Sequence, residues 1–222
     1  MFKIKKKVAN GTPVTANEKE ASRVEAFSDG VFAIAITLLI LEVKVPHLPG
    51  DATNSNLLRA LIDVWPSFLS FILSFVAILI MWVNHHGLFK LLRSVDSRLL
   101  FANGLLLLLI VFVPYPTSVL AEYIDQPSAN TAGVFYSGTY VLIAFAYNLL
   151  FYSASKNRRL IKNDVSDEHL MKIRKAYRLG LLVYLVAVML TWFNVYVGLI
   201  VNLVLWLQWT KLDYQPKPSI EE

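Results

Sequence analysis

A chain of 222 residues that is 56% hydrophobic and 17% charged is too apolar for an ordinary soluble domain, which runs about 45–50% apolar and about 25% charged. The absence of cysteine excludes thiolate metal sites, thiol nucleophiles and disulfides. The net charge of +5 would suit a nucleic-acid binder, but where the basic residues fall gives it another meaning.

The basic start "MFKIKKK" leads into a polar stretch, not an apolar region with a small-residue cleavage site, so no cleavable signal peptide is expected. A spanning helix takes about 20 mostly apolar residues. Six stretches qualify: roughly 23–45, 64–84, 98–121, 131–153, 176–192 and 194–210. The expected organisation is an N-terminal segment over 1–22, a six-helix membrane domain over 23–210 and a tail over 211–222.

The first span, "RVEAFSDGVFAIAITLLILEVKV", carries Arg23, Glu25, Ser28 and Asp29 before it turns apolar. A charge inside hydrocarbon costs from about 2.5 to well over ~10 kcal/mol, depending on depth. Arg23 can snorkel to the interface, whereas Asp29 lies about 9 Å further along the axis. Six residues turn a helix through about 240° net, so Arg23 and Asp29 do not share a face and cannot simply pair. Each needs a partner on another helix or on a neighbouring subunit. Candidates stand at the ends of spans two and three: Trp82, Asn84, His85, His86, Arg98 and Asn103. Such an inter-helix network either locks the bundle or also biases the opening of a path. On neither reading does it select an ion.

In the second span, Ser67, Ser70 and Ser74 form a small polar stripe at i, i+3 and i+7, suited to close helix packing or to a pore lining. The adjacent pair His85–His86 makes a poor metal site. The two rings point about 100° apart, and no carboxylate stands three or four residues away. No metal is expected there, although two imidazoles would make the region sensitive to pH. In the third span, Asn103–Gly104 reads as a packing pair, and Pro114 and Pro116 should kink or loosen the second half. Residues 154–175 read as a basic, partly helical connector, with Ser166 as an N-cap candidate. Thr191 and Asn194 are again packing candidates. Between the last two spans lies a very tight turn around Phe193 and Asn194, so two crossings or a re-entrant hairpin both fit.

Every Lys and Arg except Lys44 and Arg59 falls in the N-terminal segment, in the loops after spans two and four, or in the tail. The positive-inside rule then puts both termini in the cytoplasm, in a multi-pass protein of the cell membrane that touches lipid. The basic charge becomes a topology signal, and a nucleic-acid partner is unnecessary. There is no internal repeat of the kind that builds a complete inverted-repeat transporter, so a central path is more easily made by oligomerising around an axis. No HExxH, GxSxG or P-loop is present, and no enzyme is expected.

The segment "RVEAFSDGVFAIAITLLILEV" resembles the first helix of the endolysosomal potassium channel family and its prokaryotic relatives, which share an Arg-x-x-x-Phe-Ser-Asp signature. It falls here on Arg23, Phe27, Ser28 and Asp29. The resemblance continues through "MWVNHHGLF" and "RSVDSRLLFANGLLLLLIVFVPYPTSVLAEY", and covers roughly residues 22–123. It implies an all-α subunit of six spans that assembles as a homotetramer, since one signature matches the tetrameric prokaryotic form. It also implies a channel without the Thr-Val-Gly-Tyr-Gly filter, a motif this chain lacks. The first helix would line the pore, with Ile34, Leu38 and Leu41 as its apolar constriction and gate. Thr37, with Ile34, would carry the selectivity.

Periodicity alone says less. Ile34, Thr37, Leu38 and Leu41 share one helical face, but lipid-facing and core-facing stripes have the same spacing. The expected function is a potassium-selective cation channel, with potassium and other monovalent cations as permeant species and no resident cofactor. Glu42 would either attract cations at the outer mouth or be a solvated helix-end carboxylate. The alternative is a proton-coupled secondary transporter that uses Asp29 with His85 and His86 as a relay. A non-conducting membrane scaffold is a third reading.

Overall fold

The computed structural model describes residues 16–48, 50 and 53–214. Among these, the chain forms α1 (Ala16–Leu38), continued by a 3-10 turn at Leu39–Glu42, then α2 (Asn54–Asp63), α3 (Trp65–Lys90) and α4 (Ser97–Phe112). There follow α5 (Pro114–Tyr123), α6 (Ala129–Ser155), α7 (Asp167–Phe193) and α8 (Val195–Trp209). Five helical runs are long and apolar enough to cross a membrane: Ala16–Glu42, Trp65–Lys90, Ser97–Tyr123, Ala129–Arg158 and Asp167–Phe193. The apolar α8 has 15 residues, about 22 Å of helix against a hydrocarbon core of about 30 Å.

Several boundaries differ from the sequence expectation, each for a local reason. α1 begins at Ala16, so the end of the segment 1–22 is helical; residues 1–15 and 215–222 lie outside the described residues. α3 continues to Lys90, which puts His85 and His86 inside the helix rather than past its end. α7, which holds the fifth expected span, begins at Asp167, where the Ser166 hydroxyl accepts the His169 amide at 3.2 Å. The Ser166 N-cap and the helical part expected within 154–175 are both present, and the basic stretch 167–175 forms the first turns of α7, ahead of the expected span start at 176. Residues 46–63, between the first two expected spans, contain α2. Its apolar residues sit on one side only, which keeps its average too polar to read as a span.

The prolines divide the third span at Val113, between α4 and α5. Pro114 and Pro116 have no amide proton to donate into the preceding turn, so the hydrogen-bond ladder breaks there.

α6 is the central helix, packed by α4, α5, α7 and α8. Its Tyr136 and Tyr140 are fully buried, and Tyr140 lies 5.2 Å from the ring of buried Trp206 on α8. Many polar atoms in this core are paired, because an unpaired one is costly. Among the described residues Ser70 Oγ, Asn202 Oδ1 and Trp206 Nε1 are buried without a partner. Ser74 meets Thr117 at 2.6 Å and Tyr136 at 3.1 Å, so this member of the serine stripe faces the core. Asn202 donates to Ser137 at 2.9 Å, and Ser137 lies 3.3 Å from Thr191. At the α7–α8 turn, the Asn194 side chain accepts the Tyr196 and Val197 amides at 2.9 and 3.2 Å. α8 then runs so close to α7 that a Cβ on Gly198 would lie 1.7 Å from Thr191 Oγ1.

The basic loops at one end of the bundle are tied together. A single antiparallel bridge joins Leu92 to Ile161, and Arg159 pairs with Asp96 at 2.8 Å. Asp96 also caps α4 by accepting the Leu99 amide at 2.9 Å. That backbone donor, and then Arg159, hold its carboxyl below the ordinary aspartate value.

Candidate functional site

α1 packs mainly on α3 and α4, and it does so with one face. Along that face Ser28, Phe32, Ala35 and Leu39 are buried. Its polar end makes three separate attachments. Glu25 Oε1 lies 2.6 Å from His86 Nδ1, and Asp29 Oδ1 accepts the Trp82 indole N–H at 2.8 Å. Ser28 Oγ accepts from Asn103 Nδ2 at 2.9 Å and donates to the Val24 carbonyl at 2.9 Å.

Asn103 Oδ1 is then free to accept, and it lies 2.9 Å from His85 Nε2, which places the His85 proton on that nitrogen. His85 itself is sandwiched by Phe32 at 5.3 Å and Phe89 at 4.4 Å. Trp82 stacks on His86 with ring centroids 5.9 Å apart. Glu25 and Asp29, at i and i+4, meet the i, i+4 pair His86 and Trp82 on α3, while Ser28 between them reaches Asn103 on α4.

Three residues expected in this network lie elsewhere, one of them Arg98, which is exposed in the first turn of α4. Asn84 stands two residues from Trp82, about 200° round the helix, and faces the other way. It donates to the Ile80 and Trp209 carbonyls and accepts from the Tyr214 hydroxyl at 2.9 Å, in a second network that also joins Tyr177. Arg23 is exposed and, among the described residues, makes no hydrogen bond or ion pair, in keeping with its place on the side of α1 turned from Asp29. Glu25 is the participant for which the sequence reading named no partner. Its spacing from Ser28 and Asp29 was the available signal.

The opposite face of α1 is bare. Ile34 sits about 180° from Glu25 at 100° per residue, and Ile34, Leu38 and Leu41 are 58%, 39% and 69% exposed. Thr37 is exposed as well, and its hydroxyl donates to the Ile34 carbonyl at 2.9 Å. Glu42 is half-buried at the far end. Among the described residues, no group of three or more His, Cys, Asp or Glu is placed to hold a metal ion.

The family model for the endosomal/lysosomal potassium channel TMEM175 matches residues 23–114. A solved structure of a lysosomal potassium-selective channel TMEM175 homolog from Chamaesiphon minutus superposes with a TM-score of 0.77 at 43% identity. That match covers 86% of this chain and 97% of the other. A potassium channel of the same organism is 45% identical over 188 residues, which are 85% of this chain and 92% of that protein. The chain belongs to the TMEM175 family. A Streptomyces collinus potassium channel is also similar, at 43% identity over 166 residues, 74% of this chain and 79% of that protein. The TMEM175 match spans α1 to the start of α5, so the polar network and the bare face of α1 both fall within it.

Proposed function

We propose that the chain is a potassium-selective channel subunit of the cell membrane. Four copies would assemble around an axis lined by the bare face of α1. The observation that carries this reading is the division of α1 into two opposite faces. One is fixed to α3 and α4 by polar contacts, while the other presents Ile34, Leu38 and Leu41 exposed among the described residues. Membership of a family whose similar members are named potassium channels agrees with it.

In this assembly α8 is the sixth span, residues 23–210 are the membrane domain, and the basic loops and both termini lie in the cytoplasm. Rings of Ile34, Leu38 and Leu41 narrow the path and close it by dewetting. The Thr37 proton is engaged with the Ile34 carbonyl, so its oxygen lone pairs remain to face the axis. Four such oxygens offer partial replacement of a hydration shell, and potassium, which gives up water more cheaply than sodium, passes more readily. Glu42 raises the cation concentration at the outer mouth. The permeant ion is cargo, and no resident cofactor is needed.

A proton relay through Asp29 and the histidines is less well served. Asp29 is tied to Trp82, and His85 is fully buried between two phenyl rings on the side away from the bare face.

The test is ion flux into liposomes containing the purified protein. Wild type should pass potassium faster than sodium, Thr37→Ala should narrow that difference, and Ile34→Asn should raise flux while blunting selectivity. Equal passage of both ions through wild type and Thr37→Ala would remove the selectivity claim. An Ile34→Asn channel indistinguishable from wild type would take that ring out of the pore.

A further inference from the structure

The short helix α2 lies just before a membrane span and, among the described residues, buries none of its side chains. Leu57, Leu58, Leu61 and Ile62 project on one side, and Ser55, Asn56, Arg59 and Asp63 on the other, at the spacing of a two-faced helix. None of its residues is buried, and the four apolar side chains and the following Trp65 are all exposed. The helix is nevertheless well formed, with Thr53 Oγ1 accepting the Asn56 amide at 3.3 Å as its N-cap.

Isolated helices shorter than about 12–15 residues are marginal in water. Ten residues with a bare apolar side need a surface that the described residues do not supply. Only Val64 separates α2 from α3. Pro66, near the start of α3, lacks the amide that would continue one helix into the next, so α2 need not follow the axis of the span. The surface available one residue from the start of a span is the boundary between headgroups and acyl chains. Trp65 at the junction is the residue type enriched at that level.

We infer that α2 is an interfacial helix whose occupant is the bilayer itself. Leu57, Leu58, Leu61 and Ile62 sink about 5–10 Å into the headgroup–acyl boundary, and Arg59 and Asp63 stay in water. Trp65 anchors the turn into α3. The stretch between α1 and α3 is thereby held on the membrane surface. This inference rests on α3 crossing the membrane and not on the conduction path or the number of subunits.

The chain has no cysteine, so single-cysteine variants can each carry one environment-sensitive fluorophore in the otherwise unaltered protein. Leu58→Cys, Leu61→Cys, Asn56→Cys and Arg59→Cys would be compared in nanodiscs with and without lipids bearing a quencher high on the acyl chain. Leu182→Cys, on the exposed side of α7, serves as the membrane control with a deep quencher. The labels at 58 and 61 should shift to the blue and lose most of their emission to the shallow quencher, while those at 56 and 59 stay water-like and unquenched. Blue-shifted but unquenched labels at 58 and 61 would mean that α2 docks on protein, such as a second copy, and would overturn the inference. Water-like emission at all four positions would overturn it too. An unquenched label at 182 would remove the membrane placement itself, and the inference with it.

Discussion

α1 and the α6–α8 core make opposite use of similar apolar sequence. In the most apolar stretch of α1 and its 3-10 continuation 22% of the residues are buried, against 56% in the run formed by α6. α6 is covered on several sides, and α7 and α8 approach until Thr191 nearly fills the space a Gly198 side chain would occupy. α1 is fastened along one face by Glu25, Ser28 and Asp29 and left open along the other. Hydrophobicity alone does not distinguish these roles. Polar residues do, because within a membrane an apolar side chain rests equally well on lipid or protein, while a buried carboxylate or amide needs a specific partner.

If that contrast is right, one added methyl group should have opposite effects in the two regions. Gly198→Ala would push into the Thr191 side chain and its backbone Cα, neither of which can swing away. It should cost about 3 kcal/mol, the upper end of ordinary overpacking, read as a large fall in melting temperature in detergent. Gly30→Ala on α1 meets nothing within 4 Å in the subunit. It should be neutral or mildly stabilising, by about 0.5–1 kcal/mol from the lower entropy cost of alanine in a helix. Equal losses at both positions would erase the distinction between a packed core and an open first helix.

The attachment of α1 should fall between these extremes. Asn103→Leu removes the bonds to Ser28 and His85, each worth about 0.6–1.7 kcal/mol in a membrane protein. The expected loss is about 2 kcal/mol, together with altered conduction because α1 is less firmly held. On the bare face, Ile34→Asn should change the melting temperature little, within about 0.5 kcal/mol, while it alters flux. Reversed rankings, with position 34 costing more stability than position 103, would mean that the two faces of α1 have been exchanged.

The smallest expected effect lies outside the membrane. Asp96 has a carboxyl held below its ordinary value by the Leu99 amide and Arg159, so its contribution is present above the unfolded value and is lost as pH falls through the lower, folded one. Acid should therefore loosen the loop around Arg159 and increase its cleavage by a protease active from acid to neutral pH, relative to an unstructured peptide cut under the same conditions. Asp96→Asn should be cleaved readily at neutral pH and show little further change on acidification.

Much of this was legible in the sequence because charge in a membrane is so constrained. The expense of burying Asp29 was enough to demand a partner on another helix, and Trp82 on α3 supplies one. The angle between Arg23 and Asp29 was enough to separate them. Asn84 could not be assigned from composition, since only its place on the α3 circumference turns it toward Tyr214 and Trp209. Glu25 gained a partner only once α3 was known to continue through His86. α2 escaped notice because its apolar residues are diluted by its polar side, and a search for long apolar runs passes over a ten-residue amphipathic helix. The choice of Ile34, Leu38 and Leu41 came from the family resemblance; spacing puts them on one side of α1 but did not say whether that side was free.

The central claim is that this bare face lines the conduction path, and cysteine block of potassium flux tests it most directly. Single cysteines placed along α1 in the cysteine-free chain would be exposed to a small thiol-reactive cation during flux in liposomes. Block at positions 34, 38 and 41, with no effect at the buried positions 32, 35 and 39, is the predicted result. Block confined to 32, 35 and 39, or none at any of the six while flux continues, would contradict it.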